Sequence, residues 1–312
     1  MSIFNEYNKK KVFGNKIASL SLLMKPQFRL LPGRKKLKKV YDKEILDFIN
    51  KNYIDIINKY KDKEDISDNI SRESNIWVFW WQGEEDLPDI VKGCINNLLD
   101  KRGSHNVVVI TKYNYNKYIS IPKYILEKVE NGVITITHFS DIIRMMLLAE
   151  YGGIWLDSTI FLKNEIPEEV YNFKFYSNKL NNGSDEFVSE CKWSAFFLCS
   201  APQNLLVCFV RDIFLEYWKN YEELITYLFI DYVILIGYIY IKSINNYIEC
   251  IPENNINLYE LINNINNKYT KEKYECITKD TWLFKLSWKH KFICYTENNE
   301  VTFYKMIKEG KL

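Results

Sequence analysis

The sequence predicts an α/β fold with a largely parallel sheet behind a helical leader, and three observations carry that prediction. From Asn75 onward, short apolar runs alternate with helix-length segments. Prolines open the helical segments, as at Pro88 and Pro122. Most tellingly, one apolar helix ends on Gly152–Gly153 and turns straight into a strand that exits on Asp157. With 312 residues, 47% hydrophobic and 26% charged, the chain is long enough for a large core and for one or two domains. That composition excludes a disordered, collagenous or disulfide-stapled chain.

Taken in order, the first forty residues differ from the rest. Eleven cations fall between Lys9 and Lys39 with no acid among them, around the apolar stretch IASLSLLMKPQFRLL. Such a leader suits an anionic membrane surface, with Leu20, Leu22, Leu23, Met24 and Phe28 dipping in, and equally a solvated basic helix packed on the body. No continuous apolar run of signal-peptide type follows the first lysines, so a cytoplasmic protein is expected. The whole-chain charge of +2 excludes a general nucleic-acid binder, and no nucleic-acid partner is expected. That figure is an average of unlike parts, because without the leader cations 31 basic residues face 40 acids.

Tyr41 to Lys61 has helical apolar spacing, and the polar KDKEDISDNISRESN that follows reads as a linker. IWVFW, NVVVI, VITIT and IWL are expected strands, with helices from Asp86 to Leu99, Pro122 to Val129 and Ser140 to Tyr151 between them. Beyond these, FKFYS and SAFFLC read as strands, and Pro202 to Trp218 and Glu222 to Ile241 as helices. Leu224 to Ile241 is apolar enough to suggest a membrane span, but a central Asp231 and four tyrosines favour a buried core helix. The seven cysteines are scattered without a C-x-x-C pair, as reduced thiols are, and suggest neither a zinc site nor a disulfide framework. The division expected is residues 1–70 as leader, with 71–180 and 181–312 as the two halves of one catalytic domain.

The chemistry concentrates in HFSDIIRMMLLAEYGGIWLDSTIFL, from His138 to Leu162. Ser140 is the expected N-cap, which sets Asp141 and Arg144 on one face of the first turn. A cation there opposes the helix dipole, so Arg144 needs an anionic partner, either Asp141 itself or a ligand. Asp157, at the strand's carboxyl end, stands where open α/β sheets bind ligands. Asp231, an acid inside an apolar helix, requires a partner or a polar cavity.

The pairing of S-D-I-I-R with G-G-I-W-L-D resembles the donor-binding core of DXD-type glycosyltransferases of family 32, in particular their bacterial capsular-polysaccharide branch. WVFWWQGEEDLPDIV resembles that branch's opening strand and helix, and KWSAFFLCSAPQNLL, FIDYVILIGY, IPENNINLYEL and KDTWLFKLSWK its later blocks. The resemblance implies a GT-A glycosyltransferase-like, Rossmann-like fold. It also implies transfer of a hexose from a UDP-sugar to a hydroxyl of a lipid-linked oligosaccharide with retention, peripheral to the inner face of a bacterial membrane.

Carried over residue by residue, Asp141 and Arg144 bind the donor's sugar and ribose, and Asp157 holds Mn²⁺ or Mg²⁺ on the diphosphate. Trp80, or alternatively Trp81, stacks on the base beside Gln82, and Ser158 joins the donor site. Lys285 and Lys289 either add to the metal or partly replace it at the leaving diphosphate, or are plain surface lysines. Asp231 belongs to the sugar or acceptor pocket, with Trp193 either an apolar platform there or an ordinary core tryptophan. The chain departs from the pattern at Thr159, where a full D-x-D has its second acid. Two alternatives follow: Asp157 suffices for a hard cation with phosphates and water, or the ion borrows a distant ligand, Asp280 or His290, beside Thr159. The same departure motivates a second reading, a binding module of this fold that has lost catalysis.

Overall fold

The computed structural model describes residues 3–180 and 187–312. The leader forms α1 (Ile3–Lys10), α2 (Asn15–Leu23), α3 (Arg34–Asn52) and α4 (Ile54–Lys61). Then come β1 (Asn75–Phe79), α5 (Asp89–Asp100), β2 (Asn106–Ile110), α6 (Lys123–Glu130), α7 (Ile136–Tyr151) and β3 (Gly153–Leu156). Three short strands follow, β4 (Ile160–Leu162), β5 (Phe175–Ser177) and β6 (Phe197–Ser200). The remainder is α8 (Leu205–Asn220), α9 (Phe229–Tyr240), α10 (Lys242–Cys250), α11 (Glu260–Asn263), α12 (Lys271–Ile277), β7 (Leu283–Lys285) and α13 (Phe303–Lys308).

The central sheet runs β2-β1-β3-β6-β5. β1 pairs in parallel with both β2 and β3, whereas β6 pairs antiparallel with β3 and with β5, so four of the five strands share one direction. This is the mixed α/β architecture expected, with a mostly parallel sheet between flanking helices. Its strands are buried on both faces, with Trp77 and Trp155 fully enclosed. A second, two-stranded sheet pairs β4 with β7 and sets Ile160 opposite Lys285. Three-residue strands carry too little periodicity to be read from sequence, and neither was foreseen.

Three local expectations are corrected. VITIT is not a strand: Thr135 caps α7, its side chain accepting from the His138 amide, so the helix starts four residues before Ser140. Asp141 and Arg144 consequently lie deeper than the first turn, and the helix dipole no longer bears on Arg144. The helix expected from Glu222 starts only at Phe229. The Tyr217 hydroxyl donates to the Glu223 carbonyl and accepts from the Ile225 amide, pinning the intervening chain as a loop. Among the described residues no helix is long and apolar enough to cross a membrane.

The stretch read as a linker is also tied down. The Ile70 amide donates to Phe173 O, and the Asp65 carboxylate accepts from Asn204 and Tyr247. The leader itself packs on the body, with Phe13 among Phe48, Tyr217 and Tyr221 and Tyr232 of α9 donating to Asp42. Several of its lysines are spent on acids: Lys10 pairs with Glu223, Lys16 with Glu44, Lys25 with Glu6 and Lys38 with Asp42.

Candidate active site

The turn between α7 and β3 places the site. Gly152 and Gly153 have φ of 62° and 98°, where an L side chain is strained. Space forbids one as well, since a Cβ on Gly153 would lie 2.4 Å from Asn75 O and one on Gly152 2.5 Å from Pro202 N. The tight reversal sets β3 directly beside β1, and Asp157 leaves the sheet at its carboxyl edge. There the Ile160 amide donates to Asp157 O, a turn that carries Ser158 and Thr159.

Asp157 is the meeting point of a charge network. Its Oδ1 accepts from Arg144 Nη2 and Trp155 Nε1, each at 3.1 Å, and its Oδ2 from Lys285 Nζ at 2.7 Å. Burial works against the charge on Asp157, but Lys285 and Arg144 outweigh it and hold the carboxyl below the usual range. Arg144 Nη1 also donates to Asp141 Oδ1 at 2.5 Å, and its guanidinium lies 4.6 Å from the Trp155 ring centre. Both readings of Arg144 therefore apply: Asp141 is its partner, and Asp157 is a second one.

Behind this pair stands His138, which sequence reasoning passed over. Its Nε2 accepts from Trp218 Nε1 at 3.0 Å, so the neutral ring carries its proton on Nδ1, which faces Asp141 Oδ2 at 3.4 Å. The signal was present as a His and an Asp three apart on one helix, a spacing too common to stand out.

These groups open onto a cavity of about 980 Å³ at the carboxyl ends of β1 and β3. Trp80, Trp81, Gln82, Asp141, Arg144, Asp157, Ser158, Thr159, Trp193, Asp231 and Lys285 all line it, as do Lys289 and two residues not foreseen, Asn178 and Trp288. Trp80 meets Trp288 edge to face at 6.1 Å, whereas Trp81 is enclosed by Phe79, Tyr115 and Phe139. Trp193 is only 1% exposed and offers no open platform; its indole N–H donates to Asp231 Oδ1 at 2.9 Å. Burial pushes the Asp231 carboxyl up to about 6, with Asp141 adding to the rise and the Trp193 bond opposing it.

Asp280 and His290 are not brought to the cavity. Asp280 sits exposed in the turn before β7, at the end of that strand away from Lys285, and His290 is exposed beside Phe292. The donor set that remains does not fit a divalent cation held by the protein. Asp157 is the single carboxylate of the turn, both its oxygens already accept from cations or an indole, and the neighbouring position is the hydroxyl of Thr159. Among the described residues, no three His, Cys, Asp or Glu gather into an all-protein cation site, and an ion held by Asp157 and phosphates alone would have to displace Lys285 from that carboxylate.

The family model described as "Capsular polysaccharide synthesis protein" matches residues 29–307. Among curated proteins, the O-glycosyltransferase braB of Annulohypoxylon truncatum is 26% identical over 112 residues, 33% of this chain and 27% of that one. The O-glycosyltransferase PaGT of Phomopsis amygdali is 24% identical over 135 residues, 38% of this chain and 33% of that one. The chain thus spans about a third or less of these relatives. Among solved structures, the PaToxG glycosyltransferase aligns with 78% of this chain and 94% of its own, at 13% identity and a TM-score of 0.37.

Proposed function

The chain belongs to the capsular polysaccharide synthesis protein family, and from that premise we propose that it is a glycosyltransferase of GT-A type. It moves a hexose from a UDP-sugar to a hydroxyl of a lipid-linked oligosaccharide, with retention at the anomeric carbon. The observation that carries the reading is the Asp141–Arg144–Asp157 network at the carboxyl ends of parallel strands, open to a cavity large enough for a nucleotide sugar. The O-glycosyltransferase relatives support the same class.

Cleaving the anomeric bond leaves charge on a diphosphate, and fixed cations aimed at it lower the barrier. Arg144 and Lys285 are held in place for that task, with the exposed Lys289 nearby. Asp141, steadied by Arg144, takes donor hydroxyls. Asp231, also lining the cavity and within electrostatic reach of Asp141 and Arg144, would serve the acceptor, since a carboxyl pushed up to about 6 can hold or accept a hydroxyl proton. Trp80 or Trp81, beside Gln82, supplies an aromatic face for the base.

The test is a panel of nucleotide sugars offered to the purified protein with lipid-linked and free oligosaccharide acceptors. Free nucleoside diphosphate and extended acceptor are expected for one donor, and binding without turnover would favour the inactive module instead. In the leader, Leu20 is buried and Leu22, Leu23, Met24 and Phe28 are half-buried, so they are not the surface expected to dip in. Leu30 (94% exposed), Phe4 and Val12 stand out among the cations instead and support a peripheral position on the inner face of the membrane. Salt-sensitive binding to anionic vesicles, lost on deleting residues 1–40, is the expected outcome.

A further inference from the structure

We propose that the Lys285 ammonium takes the place of a divalent cation in this site, so that the donor's diphosphate binds and departs without metal. The inference rests on the glycosyltransferase reading and deepens it. Its starting point is where Lys285 lies: Nζ donates to Asp157 Oδ2 at 2.7 Å and to Thr159 Oγ1 at 3.0 Å. One cation therefore bridges the two side chains that a metal on this turn would use.

The placement is built into the backbone. The β4–β7 register sets Lys285 against Ile160, the Lys285 amide donates to Leu258 O, and the Leu286 amide donates to Thr159 O. The ammonium also lies 5.1 Å from the centre of the Phe196 ring, which favours a cation there. Thr159 suits this partner better than an acid would. A second carboxylate would neutralise the ammonium, whereas a hydroxyl orients it and leaves its charge for a ligand. An ammonium has three donors, and among the described residues Asp157 and Thr159 take two, which leaves one for a phosphate oxygen.

Charge excludes sharing. A dication on Asp157 would approach the same oxygen that holds Lys285, with Arg144 on the other oxygen, and both would repel it. The network is instead complete as a diphosphate cradle, since Arg144 and Lys285 flank one aspartate and Lys289 stands beside Trp288 at the rim.

Calorimetric titration with UDP, GDP and ADP, each in EDTA and in MnCl₂, reads the proposal directly on the wild-type chain. One diphosphate is expected to bind with a Kd that agrees within about twofold between the two conditions. Lys285→Met, which keeps the stem and removes the charge, is expected to weaken binding at least tenfold in EDTA, while Lys285→Arg retains it. The pair Thr159→Asp with Lys285→Met rebuilds two acids without the ammonium and is expected to bind only with Mn²⁺. Tenfold tighter wild-type binding in Mn²⁺ than in EDTA would overturn the proposal and leave the glycosyltransferase reading standing. Undiminished binding by Lys285→Met in EDTA would do the same. If no diphosphate binds in either condition, both fall together.

Discussion

Two aspartates face one cavity and live under opposite electrostatics. Asp157 is gripped by two cations and an indole, which keep it ionised despite burial. Asp231 has one neutral donor, Trp193, and a like charge in Asp141, so burial prevails and its carboxyl titrates near 6. A carboxylate fixed as an anion can organise cations, whereas one that changes charge near neutrality can move a proton. In the reaction proposed above, the first aspartate would belong to a donor wall that manages the diphosphate and the second to an acceptor wall that manages a hydroxyl.

The largest effect should come from breaking the donor wall. Asp157→Ala frees Arg144 and Lys285 from their shared anion, and kcat/KM is expected to fall about 10²–10³-fold, the loss typical when an organised charge stabiliser is removed. Equal turnover for wild type and variant in a nucleotide-release assay would remove Asp157 from the machinery.

Asp231→Asn tests the other wall, and its expected loss is about 10²-fold, at the low end for a proton-transfer group. As a base Asp231 works ionised, so wild-type activity should fall as pH drops through about 6, and the variant should lack that limb. Stability runs the opposite way. A carboxyl whose folded pKa is raised contributes fully below its unfolded pKa and loses that contribution as pH rises through about 6. Asp231→Asn should therefore gain thermal stability relative to wild type at pH 8 and not at pH 4. A pH-independent difference would mean that Asp231 is not the titrating group.

His138 lies behind Asp141, its Nδ1 3.4 Å from Asp141 Oδ2 without a hydrogen bond, and its Nε2 is held by Trp218. His138→Phe preserves the packing against Phe214 and Phe229 but removes the acceptor of the Trp218 N–H and the polar neighbour of Asp141. A stability loss of about 1–3 kcal/mol is expected from the unsatisfied buried donor. Donor KM should rise several-fold while the pH profile keeps its position, and a displaced limb would instead place His138 in proton transfer.

The donor wall was the more legible of the two in the sequence, for a physical reason. Asp141, Arg144, the two glycines and Asp157 lie on one helix, turn and strand, so their relation is local and survives in spacing. Lys285 reaches Asp157 across 128 positions through a three-residue strand, a register that no periodicity announces. The apolar alternation in VITIT resembled a strand until Thr135 was seen to cap a helix, because five residues fit either period. Asp280 and His290 were proposed for their chemistry alone, and the turn and the exposed segment that carry them lead away from the cavity. Asp231 was legible as an anomaly, an acid in an apolar helix, but its partner was not. Whether Trp193 lies open as a platform or closed in the core is decided by tertiary packing, and the structure closes it.

The smallest change sharpens the comparison most. Trp193→Phe keeps a buried ring and deletes the N–H donated to Asp231, the interaction that opposes burial in setting that carboxyl's pKa. Without it the neutral acid is favoured further, so the acidic limb of the activity profile should move upward. A hydrogen bond worth about 1 kcal/mol net corresponds to somewhat under one pH unit. Activity well above the limb should change little if the indole only tunes Asp231. Asp157 has no direct contact with Trp193 among the described residues, so diphosphate binding should be unchanged in the same variant. A shifted limb with intact diphosphate affinity would separate the two walls, and a loss of diphosphate affinity would show that they act as one.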